Sequence, residues 1–186
     1  AKIGYERIGN RAPYAAPHGA YLADEMGDRP DHWVAIACMT DSQWSALSAV
    51  MEQPELASDP RFATLQDRKK NEDELDGIIG GWVGEFKAPD VMNKLQLEGI
   101  PAGMVQKASE VLRDPHLAAR EFYAYPEHTE AGRRAYDGPG FRLSETPHEI
   151  RAAAPLLGEH TWEICSEVLG MEGDEIGQLM AEQILY

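Results

Sequence analysis

GNRAPYAAPHGAYLADEMGDRPDHWVAIA, residues 9–37, is the stretch around which the chain is organised. It opens as a Gly/Pro/Ala-rich loop carrying Asn10, Arg11 and His18. It closes in a β-type run from His32 to Met39 whose apolar side chains suit a buried strand. A small, polar loop feeding a buried strand is a common way to hold functional groups on a rigid base. Gly9, Ala12, Ala15, Ala16, Gly19 and Ala20 are too small to bury much themselves, and instead let backbone approach another group closely. An ordinary surface loop can have the same composition, so the rest of the chain decides between the two readings.

The 186 residues suffice for one compact domain, or one domain and a piece of another. A hydrophobic content of 43% supports a real core, and 26% charged residues is ordinary for a globular chain. The formal net charge of −15 repels nucleic acid and anionic membrane alike, and no Lys/Arg run offsets it. Lys69-Lys70 is followed at once by Asn71-Glu72-Asp73-Glu74, which reads as a solvated helix start and no phosphate patch. No apolar run approaches the roughly 18 residues needed to span a bilayer, and residues 1–8 lack the pattern of a signal peptide. Cys38 and Cys165 each sit in apolar context, so buried free thiols in a reducing cytoplasm are expected. The chain opens on Ala1, and residues 1–20 read as the interior of a longer loop, giving the expectation of a piece of a longer protein.

Past the strand, Thr40-Asp41-Ser42-Gln43 is a capping box opening a helix from Asp41 to Met51, with Trp44, Leu47, Ser48 and Met51 on one face. Trp44 on that stripe reads as a core anchor. Asp59-Pro60-Arg61-Phe62 predicts a short helix, with Asp as N-cap and Pro at the first helical position. Asn71-Glu72-Asp73-Glu74 predicts a helix to Phe86 with Leu75, Ile78, Ile79, Trp82, Val83 and Phe86 inward. Ala88 to Glu98 is a further helix, stopped by Gly99-Ile100-Pro101. A short strand over Ile100–Val105, a helix over Lys107–Arg113 and an Asp114-Pro115 helix start follow. Strand-like residues around Phe122, Tyr123, Tyr125, Tyr136, Phe141 and Leu143 flank a turn at Asp137–Gly140. Thr146–Pro155 is a Pro/Ala/charge linker to two helices, Gly158–Leu169 and Gly173–Leu185, whose apolar stripes lack an evident partner.

The fold class is α+β: a small mixed or antiparallel sheet flanked by helices, followed by a helical tail. The expected organisation is a loop and linker over 1–30, a small domain over 31–150 and a tail over 151–186. Trp33–Ser144 is expected to form the stable core.

The residues alone carry no strong catalytic motif: no Gly-x-Ser-x-Gly, Walker loop or Rossmann glycine fingerprint. His18, His32, His116, His128, His148 and His160 are scattered, and none pairs with another at helical spacing around a Glu, so no metal site is expected.

Resemblance adds more. Gly9-Asn10-Arg11, Ala16-Pro17-His18-Gly19-x-Tyr21 and Trp33–Ala37 are followed in order by Asp59-Pro60-Arg61-Phe62 with Arg68, then Gly99–Gly103. Asp114–Leu117 with Arg120 and Ala154–Thr161 complete the series. Each motif is weak alone, but the ordered set, spread over nearly the whole chain, closely resembles the family III CoA-transferases, the group that includes formyl-CoA transferase and the carnitine CoA-transferases. The resemblance implies a portion of an interlocked homodimeric enzyme, its small domain plus a C-terminal tail that packs on an upstream Rossmann-like large domain. It implies transfer of CoA between carboxylic acids through an acyl anhydride and an aspartyl-CoA thioester, with acyl-CoA thioesters as substrates and no permanently bound cofactor. The catalytic Asp would lie upstream, leaving no catalytic residue here. The matching positions for a loop that covers the reacting thioester are Asn10, Arg11, His18, Gly19 and Tyr21.

Three departures from the family pattern stand out. Ala15-Ala16-Pro17-His18-Gly19 replaces the multi-glycine loop of formyl-CoA transferase, which suggests a substrate other than oxalate. Met104 stands where Pro is common, and the turn over Glu25–Asp31 is longer. Two alternatives remain at this level: an α-methylacyl-CoA racemase of the same superfamily, and a non-catalytic interaction module of the same fold.

Overall fold

The computed structural model describes residues 7–23 and 31–186. The lengthened turn expected over Glu25–Asp31 lies outside these residues, apart from Asp31. The chain divides into two compact units, meeting in sequence at Lys107 and Ala108.

The first unit is built on a three-stranded antiparallel sheet in the order β1 (His18–Ala23), β2 (His32–Ala37), β3 (Ala102–Val105). β1 corrects the sequence reading, which left His18–Ala23 in the loop. Its Gly and Ala residues have weak strand propensity, and pairing with β2 overrides that preference. The register sets Tyr21 opposite Val34, Ala20 opposite Ala35 and His18 opposite Ala37. On β3, Met104 pairs with Val34 and Gly103 with Ala35. Side chains alternate across the sheet, so Tyr21, Val34 and Ile36 point into the core, while Trp33, Ala35 and Val105 lie on the open face.

The segment before β1 also departs from expectation. Ala12, Ala15 and Ala16 are buried, and Ala12 and Ala15 form an isolated bridge. Being small did not keep them out of the core. It let the backbone lie close against it. Ala16 N–H donates to the Cys38 carbonyl (3.2 Å) and Cys38 N–H to the Pro17 carbonyl (2.8 Å), so the pairing extends past the strand ends.

Helices cover one face. α1 (Asp41–Val50) starts with the expected capping box, the Thr40 hydroxyl accepting from Gln43 N–H while the Gln43 amide accepts from Thr40 N–H. Trp44, Leu47 and Ser48 are buried, as its stripe predicts. A 3₁₀ turn, Pro54–Ala57, follows. Asp59-Pro60 then makes a turn and no helix: the Asp59 carboxylate accepts from both the backbone N–H and the guanidinium of Arg61, and the Phe62 and Trp44 rings meet in a T-shaped contact with centroids 6.2 Å apart. α2 (Leu65–Lys70) ends with Lys69 and Lys70, correcting their reading as a helix start. Cations there complement the C-terminal end of the helix dipole. Asn71 makes no side-chain cap for α3 (Glu72–Gly84). Its amide instead donates to the Arg61 and Asp67 carbonyls, both at 3.0 Å. α4 (Ala88–Leu97) buries Val91 and Leu95 and stops at Gly99, whose φ of 72° is the left-handed conformation that favours glycine.

The second unit has short elements: α5 (Ala108–Val111), α6 (Pro115–Ala119), and the two-residue strands β4 (Tyr123–Ala124), β5 (Glu127–His128), β6 (Gly132–Arg133) and β7 (Tyr136–Asp137). β4 pairs with β7 and β5 with β6, both antiparallel. The Asp114 carboxylate caps α6 as the Asp-Pro signal predicts, accepting from His116 and Leu117 N–H. Gly138 serves close approach: a Cβ there would stand 2.6 Å from the Phe122 carbonyl oxygen. Thr146–Pro155 has no regular structure beyond bends. α7 (Thr161–Glu163) runs into a π-helical turn, Ile164–Val168, and α8 (Gly173–Ala181) follows, both shorter than the expected helices.

The main buried apolar cluster extends from Ala16 to Ile100, within the first unit. It therefore starts earlier and ends earlier than the expected Trp33–Ser144. Short strand pairs with half-exposed aromatics, such as Phe122 against Tyr123, do not extend it.

Candidate functional site

On the open face of the sheet, Ala20, Ala35 and Gly103 form one row across all three strands. With no side chain beyond a methyl in that row, the face is hollow there. The segment Ile8–Tyr14 forms one wall, and the resulting cleft has a volume of about 720 Å³. Its lining is mainly apolar and small: Ile8, Ala12, Pro13, Ala20, Ala37 and Pro101 are typical. Farther along the face, Trp33 and Val105 are 42% and 50% exposed.

His18 opens β1 on the cleft side. Its Nδ1 is within hydrogen-bond reach of the Asn10 carbonyl, across the loop. The Tyr14 and His18 rings meet in a T-shaped contact, with centroids 6.3 Å apart. Asn10 sits in a turn after Gly9, whose φ is 64°. Asn10 and His18 thus come together through backbone and ring.

Arg11 lies in the same loop, and its guanidinium engages α3. It donates to Asp73 and to Asp76 (3.1 Å), and its Nε lies 3.6 Å from Glu72. These hydrogen bonds raise its pKa further above the ordinary arginine range. Glu72 is buried and also accepts from Lys69 at 2.7 and 2.6 Å.

Tyr21 and Gly19 belong to the opposite face of β1 from His18. The Tyr21 hydroxyl donates to Asp76 Oδ1 at 2.8 Å. Burial first, then the nearby Asp76 charge, holds this phenol well above the ordinary tyrosine value. A Cβ at position 19 would meet the Tyr21 hydroxyl oxygen at 3.0 Å, so Gly19 makes room for that ring. Both residues also border a smaller hollow of about 420 Å³ beside Asp76.

The sequence reading missed Asp73 and Asp76, and named Arg68 only within the family resemblance. Asp73 and Asp76 sit in or beside an acidic run that reads as helix capping, and only tertiary structure matches them to Arg11 and Tyr21. Arg68 is fully buried and donates to the Ala16 carbonyl (2.7 Å), the Phe62 carbonyl (3.0 Å) and Asp41 (2.7 Å). Its only sequence signal is its place after the Asp59–Phe62 motif in the resemblance to the family.

Chemically, the cleft can hold an apolar group against a sheet and offer it one imidazole. Nearby Cys38 is buried, which pushes its thiol up to about 12, so it stays protonated and is a poor nucleophile at neutral pH. Among the described residues no His, Cys, Asp and Glu cluster could hold a metal ion. Among them, too, no helix is long and apolar enough to cross a membrane.

Comparison with known proteins places the chain in a family. The profile of CoA-transferase family III matches residues 2–161. Succinyl-CoA–D-citramalate CoA-transferase of Chloroflexus aurantiacus is 34% identical over 97% of this chain and 44% of its own length. Formyl-CoA:oxalate CoA-transferase of Streptomyces coelicolor is 30% identical over 76% of this chain and 34% of its own. The crystal structure of a CaiB/BaiF family protein from Brucella suis superposes with a TM-score of 0.74 at 28% identity, covering 88% of this chain and 40% of that one. The chain therefore spans less than half the length of these relatives. It belongs to CoA-transferase family III.

Proposed function

We propose that this chain is the C-terminal portion of a CoA-transferase, in which the Gly9–Tyr21 segment covers the reacting acyl-CoA thioester. The observation that carries this reading is the cleft on the open sheet face, floored by Ala20, Ala35 and Gly103 and walled by Ile8–Tyr14. A floor of methyl groups and hydrogens admits a narrow acyl chain, and an apolar wall keeps water from reactive intermediates. In this reading Asn10 and His18 face the acyl group. Arg11, Gly19 and Tyr21 hold the loop and strand that carry them.

The chemistry would begin on an Asp upstream of Ala1. Its carboxylate attacks the thioester carbonyl and releases CoA thiolate, forming a mixed anhydride. The thiolate then attacks the aspartyl carbonyl, releasing the donor acid and leaving the aspartyl-CoA thioester. An incoming carboxylate repeats both steps in reverse and restores the Asp. The intact enzyme would be an interlocked homodimer in the cytoplasm. The relatives' named substrates, citramalate among them, make small carboxylic acids the acyl classes to try first.

The test compares this chain alone with a polypeptide that also carries the upstream region. Both are incubated with acyl-CoA donors and free carboxylates, and exchange is followed by mass spectrometry. The longer protein should exchange CoA while this chain stays at the uncatalysed background. Turnover by this chain alone, or none by the longer protein with any pair, overturns the reading.

A further inference from the structure

Asp76 lies on α3, outside the lining of the cleft, and gives its two carboxylate oxygens to two different parts of it. Oδ2 accepts from Arg11 Nη2 at 3.1 Å, and Arg11 belongs to the wall segment Ile8–Tyr14. Oδ1 accepts from the Tyr21 hydroxyl at 2.8 Å, and Tyr21 follows Ala20, the β1 residue in the cleft floor. Arg11 and Tyr21 do not bond to each other, so the carboxylate is what relates them.

Packing alone does not fix the spacing of wall and strand. A hollow of about 420 Å³ has Ile8 to Arg11, His18 to Tyr21 and Asp76 on its border. Nδ1 of His18, within reach of the Asn10 carbonyl, makes a second polar tie between the two segments. α3 gives Asp76 a firm mount. Leu75 and Ile79 on the same helix are fully buried, and a Cβ at Gly80, one turn after Asp76, would stand 4.0 Å from the Tyr21 ring. The other carboxylates near Arg11 are less suited. Asp73 also accepts from Nη2, but its side chain is 92% exposed against 31% for Asp76, so water can replace it. Glu72, 3.6 Å from Arg11 Nε, is engaged by Lys69.

We propose that Asp76 is a positioning residue for the cleft: its two oxygens set the separation of the wall from the floor strand, and with it how well the wall excludes water. This rests on the reading of the chain as part of a CoA-transferase, in which water competes with the incoming carboxylate. Water that reaches the thioester carbonyl takes the acyl group to the free acid and releases CoA thiol, in place of a new thioester.

The intact enzyme is assayed for both fates, free CoA released against new thioester formed. Asp76→Asn offers Arg11 an amide in place of a carboxylate. It should raise the ratio of hydrolysis to transfer roughly tenfold, the scale of one charge-assisted hydrogen bond. Arg11→Gln frees the wall while keeping the Tyr21–Asp76 bond, and should raise the ratio to a similar extent. Asp73→Asn removes the same charge beside Arg11 and should change it by a few-fold at most. Loss of folded protein alone lowers both fates together and leaves the ratio where it was. An unchanged ratio in Asp76→Asn or in Arg11→Gln overturns the proposal. So does an Asp73→Asn variant that matches them, because the charge around Arg11 would then be what counts. Where Asp76→Asn does not fold, Arg11→Gln decides.

A second measurement needs no turnover. In urea unfolding of this chain, the combined loss in folding equilibrium constant for Arg11→Gln with Tyr21→Phe should fall short of the product of the single losses by at least about twofold, the lower end of coupling within one hydrogen-bonded network. Independent effects overturn the shared role of Asp76. No CoA transfer by the unsubstituted intact enzyme is a different result. It removes the underlying reading and with it the exclusion of water, while the coupling in this chain still decides whether Asp76 ties the wall to the strand.

Discussion

Replacing Arg68 by Met should destabilise the first unit by about 2–6 kcal/mol, the cost of leaving two buried carbonyls without their donor. The magnitude can be built from the contacts. The guanidinium donates to two backbone carbonyls, at Ala16 and Phe62, both in fully buried residues. Met keeps the length of the side chain but leaves both oxygens without that donor, at about 1–3 kcal/mol each. The third bond goes to Asp41, whose side chain is 67% exposed. Water can replace Arg68 there, so that pair adds at most about 1 kcal/mol. The loss should thus reside in the carbonyls and not in the ion pair. Urea unfolding of Arg68→Met and Asp41→Asn separates the two. Arg68→Met should lower the midpoint strongly without changing the slope, while Asp41→Asn should cost under about 1 kcal/mol. Hydrogen exchange should show the Ala16 and Cys38 amides losing protection first, because their bonds to the Cys38 and Pro17 carbonyls lie next to the Ala16 carbonyl that loses its donor. An Arg68→Met cost within about 0.5 kcal/mol, the range of surface substitutions, would refute the reasoning. So would an Asp41→Asn variant as unstable as Arg68→Met.

Trp82, 8% exposed and packed on Phe86 with ring centroids 5.5 Å apart, should cost roughly 3–5 kcal/mol when truncated to Ala; a cost under about 0.5 kcal/mol in denaturant unfolding would place the ring outside the core. Tyr21 has its folded-state pKa raised above the unfolded value of about 10, so its contribution is complete below that pH and is lost as pH rises through the folded value. Urea midpoints measured above about pH 10 should therefore fall more steeply for the unsubstituted chain than for Tyr21→Phe, and parallel curves would refute the linkage. In the C-terminal helices Trp162, Val168 and Leu169 are 52%, 74% and 65% exposed; light scattering should reveal self-association, or hydrogen exchange should show this segment opening readily. A monomer at high concentration, with Ile164–Leu169 amides as protected as those of β2, would refute that.

Local signals were legible where local chemistry decides. Thr40 and Gln43 satisfy each other's backbone donors within four residues, so the α1 start is readable without knowing the fold. Gly99 and Asp114 act in the same way. The Asp59-Pro60 signal gave a capped turn and no helix: the Asp59 carboxylate accepts from Arg61 N–H at 2.9 Å as an N-cap would, but the chain leaves the helical path by Ala63. β1 was illegible for a different reason. Small residues carry no periodic hydrophobic signal, and the partner strand supplies the preference that they lack. The acidic run from Asn71 reads as capping because nothing local reveals Arg11 or Tyr21, more than fifty residues away, as partners of Asp73 and Asp76.

The composition of β1 explains why those distant anchors are needed. A one-residue slip in a strand exchanges its two faces, and a strand poor in large side chains resists slipping weakly. In β1, the slip would bury His18 and turn Tyr21 outward. The small residues that hollow the cleft floor thus remove the packing that would otherwise fix the register. Polar contacts fix it instead. Arg68 grips the Ala16 carbonyl just before the strand, and the Ala16–Cys38 and Cys38–Pro17 bonds lock the first pairing. Tyr21 seats its ring over Gly19 and its hydroxyl on Asp76, which only the observed register permits. A larger residue at position 19 would push that ring away, whereas a methyl at Gly103 would meet nothing within 4 Å and would only raise the cleft floor. The buried arginine, the aspartate on α3 and the glycine beneath the ring therefore serve one purpose: they hold His18 on the cleft side of a strand whose own side chains could not keep it there.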